Sequence, residues 1–168
     1  TVAYSYIGPK LTYPIYYDGT IGQAKRHLTK TAEKINEKYS DVKAYISVNK
    51  ALVTQASAAI PIVPLYFAIL YKVMKAQGTH EGCIEQISRL FHEKLFVEKP
   101  VTDEQGRIRM DDWELSDEVQ DKVMECWKNV TTENVAELSD IDGYWQDFYQ
   151  MFGFHLDGVD YAKDVDLE

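Results

Sequence analysis

Tyr13, Tyr16 and Tyr17 stand just ahead of a Gly19-Thr20-Ile21-Gly22 turn, and Lys25 follows it, in the stretch YPIYYDGTIGQAKRHL. A phenol can stabilise negative charge growing on a carbonyl oxygen. A neighbouring ammonium can lower the phenol pKa while it holds a sugar hydroxyl. Tyrosine with lysine is the working pair of many NAD(P)H-dependent reductases. In the familiar spacings the lysine follows by four residues or by seven, and here those positions hold Ile21 and Asp18. The nearest tyrosines are Tyr17 and Tyr16. On a continuous helix Tyr16 and Lys25 would be turned by about 900° and face opposite sides. Pro14 and Gly19 disfavour such a helix. With Tyr16 on a loop and Lys25 in the second turn of a helix, the loop can fold the tyrosine back beside the lysine. The competing reading makes the three tyrosines packing residues and Lys25 a solvated side chain.

Other chemistry is sparser. Gly19-Thr20-Ile21-Gly22 lacks both the preceding strand and the third glycine of a dinucleotide fingerprint. His80 and Cys83 are three apart with His92 further along, and no other ligand is spaced to complete a metal site. His27 and His155 are isolated, and no serine or cysteine has a visible base partner. Asn129-Val130-Thr131 fits a glycosylation sequon without other signs of secretion. DDWEL, Asp111 to Leu115, reads most simply as a solvated turn before a helix.

The elements that must position the pair follow from periodicity. VAYSYI (Val2–Ile7) reads as a strand ended by Gly8-Pro9, with a loop over 9–19. Ile21, Ala24, Leu28, Ala32, Ile35 and Tyr39 recur at helical spacing, so a helix runs from about Thr20 to Tyr39 with Asp18 or Thr20 as cap. VKAYISVN (Val42–Asn49) is the next strand. Strand, helix, strand is one βαβ crossover and implies a parallel sheet covered on both faces. Pro64 can open and Gly78 close an apolar helix that is buried on several sides or faces a ligand. Further helices carry Ile84 to Leu95, Val119 to Trp127 after a Ser116 cap, Val135 and Leu138 after a Thr132 cap, and Ile141–Phe152 up to Gly153. RIRM is a short strand or loop, and the acidic tail after Asp157 reads as loose. Two strands are too few for a stable doubly wound sheet, so further strands belong to sequence outside these residues or to another copy. A start at Thr1, without methionine and inside a strand, reads as a fragment.

The chain has 168 residues, enough for one domain with a core, and a net charge of −9 that argues against nucleic acid. Charge is uneven: residues 1–50 carry eight Lys/Arg against four Asp/Glu, and residues 101–168 five against nineteen. A polyanionic ligand finds its positive field around Lys10, Lys25, Arg26 and Lys50. The composition shift near residue 98 separates a strand-containing half from an all-helical acidic half. The apolar run Ala58 to Tyr71 holds two prolines and is too short for a membrane span. Cys83 and Cys126, in no metal or disulfide spacing, suit a reducing, cytoplasmic setting.

The motifs AYSYIGP, TYPIY-x2-GTIG-x-AK, VTQASAAIP-x2-PLY, HEGCIEQI-x-RL, RIRMDDWEL and VTTEN cover nearly the whole chain. Together they resemble the trans-2-enoyl-CoA reductases and their enoyl-acyl-carrier-protein reductase relatives, the Tyr-x8-Lys members of the short-chain dehydrogenase/reductase superfamily. The resemblance implies an α/β fold, the C-terminal part of a Rossmann-type parallel sheet with few strands and a mainly helical remainder. It divides the chain into a βαβ unit with the Tyr/Lys pair (1–57), substrate-lid helices (58–97) and an acidic helical region (98–168). It implies NADH as cofactor, no metal, and reduction of the C2–C3 double bond of a 2-enoyl thioester in fatty acid metabolism. Tyr16 is then the donor to the thioester oxygen, and Lys25 holds the nicotinamide ribose and lowers the Tyr16 pKa. Tyr6 lies near the thioester. Thr54 and the Val53 backbone lie beside the nicotinamide, and the Pro64 helix forms lid and acyl pocket. The structural alternatives are Tyr6 as a sheet residue, Thr54 as a helix cap and the Pro64 helix as plain core. For the 168 residues by themselves, an inactive, self-associating helical unit is the competing reading.

Overall fold

The computed structural model describes residues 1–164, and the last four residues of the acidic tail lie outside the described residues. Three strands, β1 (Val2–Ser5), β2 (Tyr45–Val48) and β3 (Arg107–Arg109), form one parallel sheet in the order β1-β2-β3. Register pairs Val2 with Tyr45 and Ser5 with Val48, then Ile46 with Arg107 and Val48 with Arg109. RIRM therefore supplies a third strand, and the acidic half is not all helical. Met110 and Asp111 carry the pairing further, both amides donating to the Val48 carbonyl.

Both faces of the sheet are covered, as a parallel sheet requires. One face packs Ile46 and Val48 against Leu28, Ala32 and Ile35 of α1 (Thr20–Lys38), the apolar stripe legible in the sequence. On the other face Ile108 and Tyr45 meet Leu90 and Leu95, which follow α4 (Cys83–Arg89) on a π-helical turn. Between β2 and α4 lie α2 (Gln55–Ala58) and α3 (Val63–Gln77), the latter closed by Gly78 in the left-handed conformation. α3 is buried nearly all round, from Tyr66 to Tyr71 and again at Val73 and Met74. It packs on α5 (Asp117–Asn129) and α7 (Ile141–Gln150), with α6 (Val135–Leu138) between them in sequence.

The caps are partly as expected. The Ser116 hydroxyl accepts from the Val119 amide at the start of α5. The residue before α6 is Asn134, not Thr132, and its side chain makes no capping bond. The residue before α1 is Gly19, and neither Asp18 nor Thr20 caps that helix. The reason lies in the preceding turn. The Gly22 amide donates to Tyr16 O at 3.1 Å and that of Asp18 to Tyr13 O at 2.9 Å, so backbone carbonyls satisfy the first turn. Near the other end, Tyr161 pins the start of the tail. Its hydroxyl donates to Gly153 O and accepts from the Leu156 amide.

Gly22 is where the loop and α1 touch most closely. A Cβ there would lie 1.7 Å from Tyr17 O. No side chain can yield to relieve that contact, because it is made with backbone. Gly22→Ala is expected to lower unfolding free energy by about 2–4 kcal/mol, against less than about 0.5 kcal/mol for the exposed neighbour Gln23→Ala. Urea unfolding of the two variants checks this.

Candidate active site

β1 and β2 both end at one edge of the sheet, and the cavity lies there. This is the carboxyl edge, where α/β folds place their ligands. It has a volume of about 380 Å³, and its lining includes Tyr6, Tyr16, Ile21, Lys25, Lys50, Ala51, Thr54 and Phe67. Tyr6 follows β1 directly, and Lys50 and Ala51 follow β2.

Tyr16 sits on the turn before α1, its amide donating to Thr12 O at 2.9 Å. Lys25 sits in the second turn of α1. The helix break therefore brings a tyrosine and a lysine nine positions apart to one cavity. Tyr13 and Tyr17 do not line it. They stack on each other at 4.7 Å and pack against the α1 face of the core. Arg26 covers the Tyr17 ring at 5.0 Å and donates to Tyr17 O.

Tyr16 is only 8% exposed, and burial pushes its phenol pKa up. Burial pushes the Lys25 ammonium down. The Tyr16 phenol therefore moves opposite to the lowering expected from Lys25, and burial is the cause. A phenol held above its ordinary range stays protonated at neutral pH and has a hydrogen to donate.

Tyr6 packs edge-to-face on Tyr16 with ring centroids 5.3 Å apart, and Phe67 packs on Tyr6 at 6.2 Å. Its hydroxyl turns away to the carboxylate of Glu114, donating to Oε1 at 2.9 Å. DDWEL is accordingly not a solvated turn. Asp111 and Glu114 are both fully buried, each held by its own partners. Arg109 forks onto Asp111 with two 2.7 Å bonds. Glu114 also accepts from Tyr66 Oη at 2.7 Å and from the Ala51 amide at 2.6 Å. Periodicity could not find Glu114, because its partners lie 48 to 108 residues away.

Thr54 caps α2 through a capping box with Ser57, so the structural alternative at that position is realised while the residue still lines the cavity. The amide of Val53 donates to Tyr71 Oη at 3.2 Å and is therefore already engaged. Of α3, only Val63 and Phe67 line the cavity. The rest is core, which explains why it is apolar all round.

The expected positive field is smaller than the sequence implied. Lys50 is 1% exposed, its Nζ donating to the carbonyls of Ala51 and Glu81. Burial brings its pKa down to about 8, with Glu114 and Glu81 pulling the other way. Arg26 is committed to Tyr17 O.

A parallel α/β sheet places a tyrosine and a lysine in one cavity at its carboxyl edge. The chain belongs to the trans-2-enoyl-CoA reductase family. Residues 1–96 match the family described as the trans-2-enoyl-CoA reductase catalytic region, and residues 102–165 match the enoyl reductase FAD binding domain. The enoyl-[acyl-carrier-protein] reductase [NADH] of Cytophaga hutchinsonii is 59% identical over 98% of this chain and 42% of its own length. The trans-2-enoyl-CoA reductase [NADH] of Clostridium perfringens is 59% identical over 99% of this chain and 43% of its own. The crystal structure of Clostridium acetobutulicum trans-2-enoyl-CoA reductase in complex with NADH superposes with a TM-score of 0.94 at 57% identity, over 98% of this chain and 42% of that one. The chain thus spans about two fifths of the length of these relatives.

The residues lining the cavity at the sheet edge fit one end of a nicotinamide dinucleotide. Lys25, Asn49 and Thr54 line the cavity beside the apolar Ile21, Ile60 and Phe67, as a nicotinamide and its ribose require. Over 102–164 the cations Arg107, Arg109 and Lys122 are paired with Asp103, Asp111 and Glu118. The amide at the start of α5 is capped by Ser116 and that of α7 by Asp140. The cavity beside α5 is lined by Asp112 and Glu118, and the one beside α7 by Asp142. Among the described residues no group of three or more acidic, histidine or cysteine side chains could hold a metal ion, and no helix is long and apolar enough to cross a membrane.

Lys50 gives this site a pH signature. Between its folded value of about 8 and the free lysine value of 10.5, the unfolded chain binds a proton that the folded chain has released. Stability from this group therefore rises with pH across that window, and below it the full burial penalty is present. Lys50→Met is expected to remove the rise. From pH 8 to 9.5, the unfolding free energy of wild type relative to the Met variant should increase by about 1 kcal/mol or more. Urea unfolding at the two pH values measures it.

Proposed function

We propose that this chain is the portion of an NADH-dependent 2-enoyl thioester reductase that carries the donor tyrosine and the cofactor-holding lysine. The observation behind the reading is that Tyr16 and Lys25 line one cavity at the sheet's carboxyl edge, with Tyr16 buried and protonated. When bound, NADH supplies the hydride that adds to C3 of the enoyl thioester. As it adds, negative charge grows on the thioester oxygen, and Tyr16 donates a hydrogen bond to it. Lys25 holds the nicotinamide ribose, and its charge stabilises the same developing anion. Thr54 and the Val53 carbonyl orient the nicotinamide ring. Ile60, Val63 and Phe67 give the acyl group an apolar wall, so the lid role falls to the segment 58–63 and one face of α3. The buried surroundings exclude water and strengthen each of these interactions. Both a coenzyme A and a carrier-protein thioester fit this chemistry, and the relatives carry both names.

In the complete enzyme, Tyr16→Phe is expected to lower turnover by at least ~100-fold, the scale of one acid–base group, with little change in KM for NADH. Lys25→Met is expected to raise the KM for NADH and lower turnover together. Steady-state reduction of crotonyl-CoA measures both, and near-normal turnover by Tyr16→Phe ends the assignment.

A second reading, self-association of the 168 residues by themselves, is favoured by the outer edge of β1. No strand of the described residues pairs with it, and Tyr4 of β1 is 49% exposed. An open parallel edge is a template for pairing. Light scattering of the isolated chain is expected to show mass rising with concentration in the micromolar range. A monomer throughout would remove this reading.

A further inference from the structure

We infer that Glu114 is a positioning residue of the cavity: it accepts the hydrogen bond of the Tyr6 hydroxyl and fixes two adjacent strand ends, leaving Tyr16 as the donor that faces substrate. The inference rests on the reductase reading above.

A tyrosine hydroxyl has one proton to give. That of Tyr6 goes to Glu114 Oε1 at 2.9 Å, and that of Tyr66 goes to the same oxygen at 2.7 Å. The other oxygen, Oε2, accepts from the Ala51 amide at 2.6 Å. Tyr6 comes directly after β1 and Ala51 directly after β2, and both line the cavity. One buried carboxylate from beyond β3 thus ties two walls of the site together. Gly8 makes room for the arrangement. It holds φ +76°, and a Cβ there would sit 3.0 Å from the Tyr6 hydroxyl and ring. With its hydroxyl drawn to Glu114, Tyr6 presents its ring to the site and packs edge-to-face on Tyr16. Its part is to hold Tyr16 in one rotamer.

Tyr66 supplies the control. Its hydroxyl meets the same carboxylate oxygen and also accepts from Gln120 Nε2 at 3.2 Å, yet it does not line the cavity. Tyr6→Phe and Tyr66→Phe therefore remove equivalent hydrogen bonds from Glu114, one facing the site and one facing the core. A merely structural carboxylate would respond alike to both.

The test uses the complete reductase that contains this sequence, with kcat for crotonyl-CoA and KM for NADH measured in Glu114→Gln, Tyr6→Phe, their double variant and Tyr66→Phe. A glutamine keeps an acceptor for the Ala51 amide and turns its own donor toward the two hydroxyls. Glu114→Gln and Tyr6→Phe are each expected to lower kcat about tenfold, the scale of one hydrogen bond, with KM for NADH within about twofold. The double variant is expected to be no slower than the slower single variant, because the two act through one contact. Tyr66→Phe is expected to lower the melting temperature while kcat stays within about twofold. Losses that multiply in the double variant overturn the inference, as does a Tyr66→Phe loss equal to that of Tyr6→Phe. Where Glu114→Gln does not fold, the comparison of the two phenylalanine variants decides by itself. A Tyr6→Phe loss as deep as that of Tyr16→Phe would make Tyr6 a donor and also overturn it. Normal turnover in Tyr16→Phe would instead overturn the reductase assignment.

Discussion

A carboxylate shut away from water is tolerable only when its oxygens meet donors, and Glu114 meets three. Stripped of one partner, a buried charge of this kind costs several kcal/mol. Burial pushes its pKa up while the Ala51 amide, Tyr66, Lys50 and Tyr6 pull it down. The cavity takes its shape from meeting those demands. Tyr6 approaches from the end of β1 and Ala51 from the end of β2, so the two strand ends are locked to one point, and Tyr66 of α3 satisfies the same carboxylate from the core side. The Tyr6 ring then has a single place to lie, and Tyr16 packs against it.

Adjacent to this lock is a second one built on Arg89. Its guanidinium forks onto Glu81 at 2.6 and 2.8 Å, reaches Asp112 at 3.0 Å and donates to Met110 O. Trp113 covers it at 4.0 Å. Lys50 joins from below through the Glu81 carbonyl. The run from Arg107 to Leu115 is thus strand, latch and lock in nine residues, pairing with β2, gripping α4 and sending Glu114 under the site. It lies in the segment matched to a flavin-binding description, and its charged groups are engaged by protein partners: Arg107 by Asp103, Arg109 by Asp111, Asp112 by Arg89 and Lys94. Its contribution to the site is mechanical and electrostatic support.

The Tyr16 and Lys25 pair shows how burial sets chemistry. Taking both groups partly out of water moves their pKa values toward the neutral forms, up for the phenol and down for the ammonium. That favours a tyrosine that donates over one that ionises. It suits charge growing on an oxygen outside the protein chain, because the donor is in place before the charge appears and needs no reorganisation. The α3 helix serves the same end differently. Most of it is core, and the few residues at its start that reach the cavity inherit rigidity from the packing behind them.

Much of this was legible in the residues. The stripe from Ile21 to Ile35 marks the buried face of α1, the run VKAYISVN marks β2, and Pro64 with Gly78 brackets α3, because periodicity and backbone chemistry act over a few residues. The break at Pro14 and Gly19 makes a tyrosine and a lysine nine positions apart compatible with one site. Glu114, Lys50 and Asp111 were not legible as buried groups. A charged residue in a polar run reads as solvated, and only partners brought from elsewhere make its burial tolerable. The third strand was ambiguous for a related reason, since three residues carry too little pattern and RIR is stabilised by its ladder to β2. The sequence by itself determined the local elements and the chemical types at the site, because these depend on near neighbours. The tertiary structure alone decided which charges are buried, which tyrosine proton is already committed and which way each pKa moves, because those depend on donors, acceptors and water exclusion contributed from across the chain.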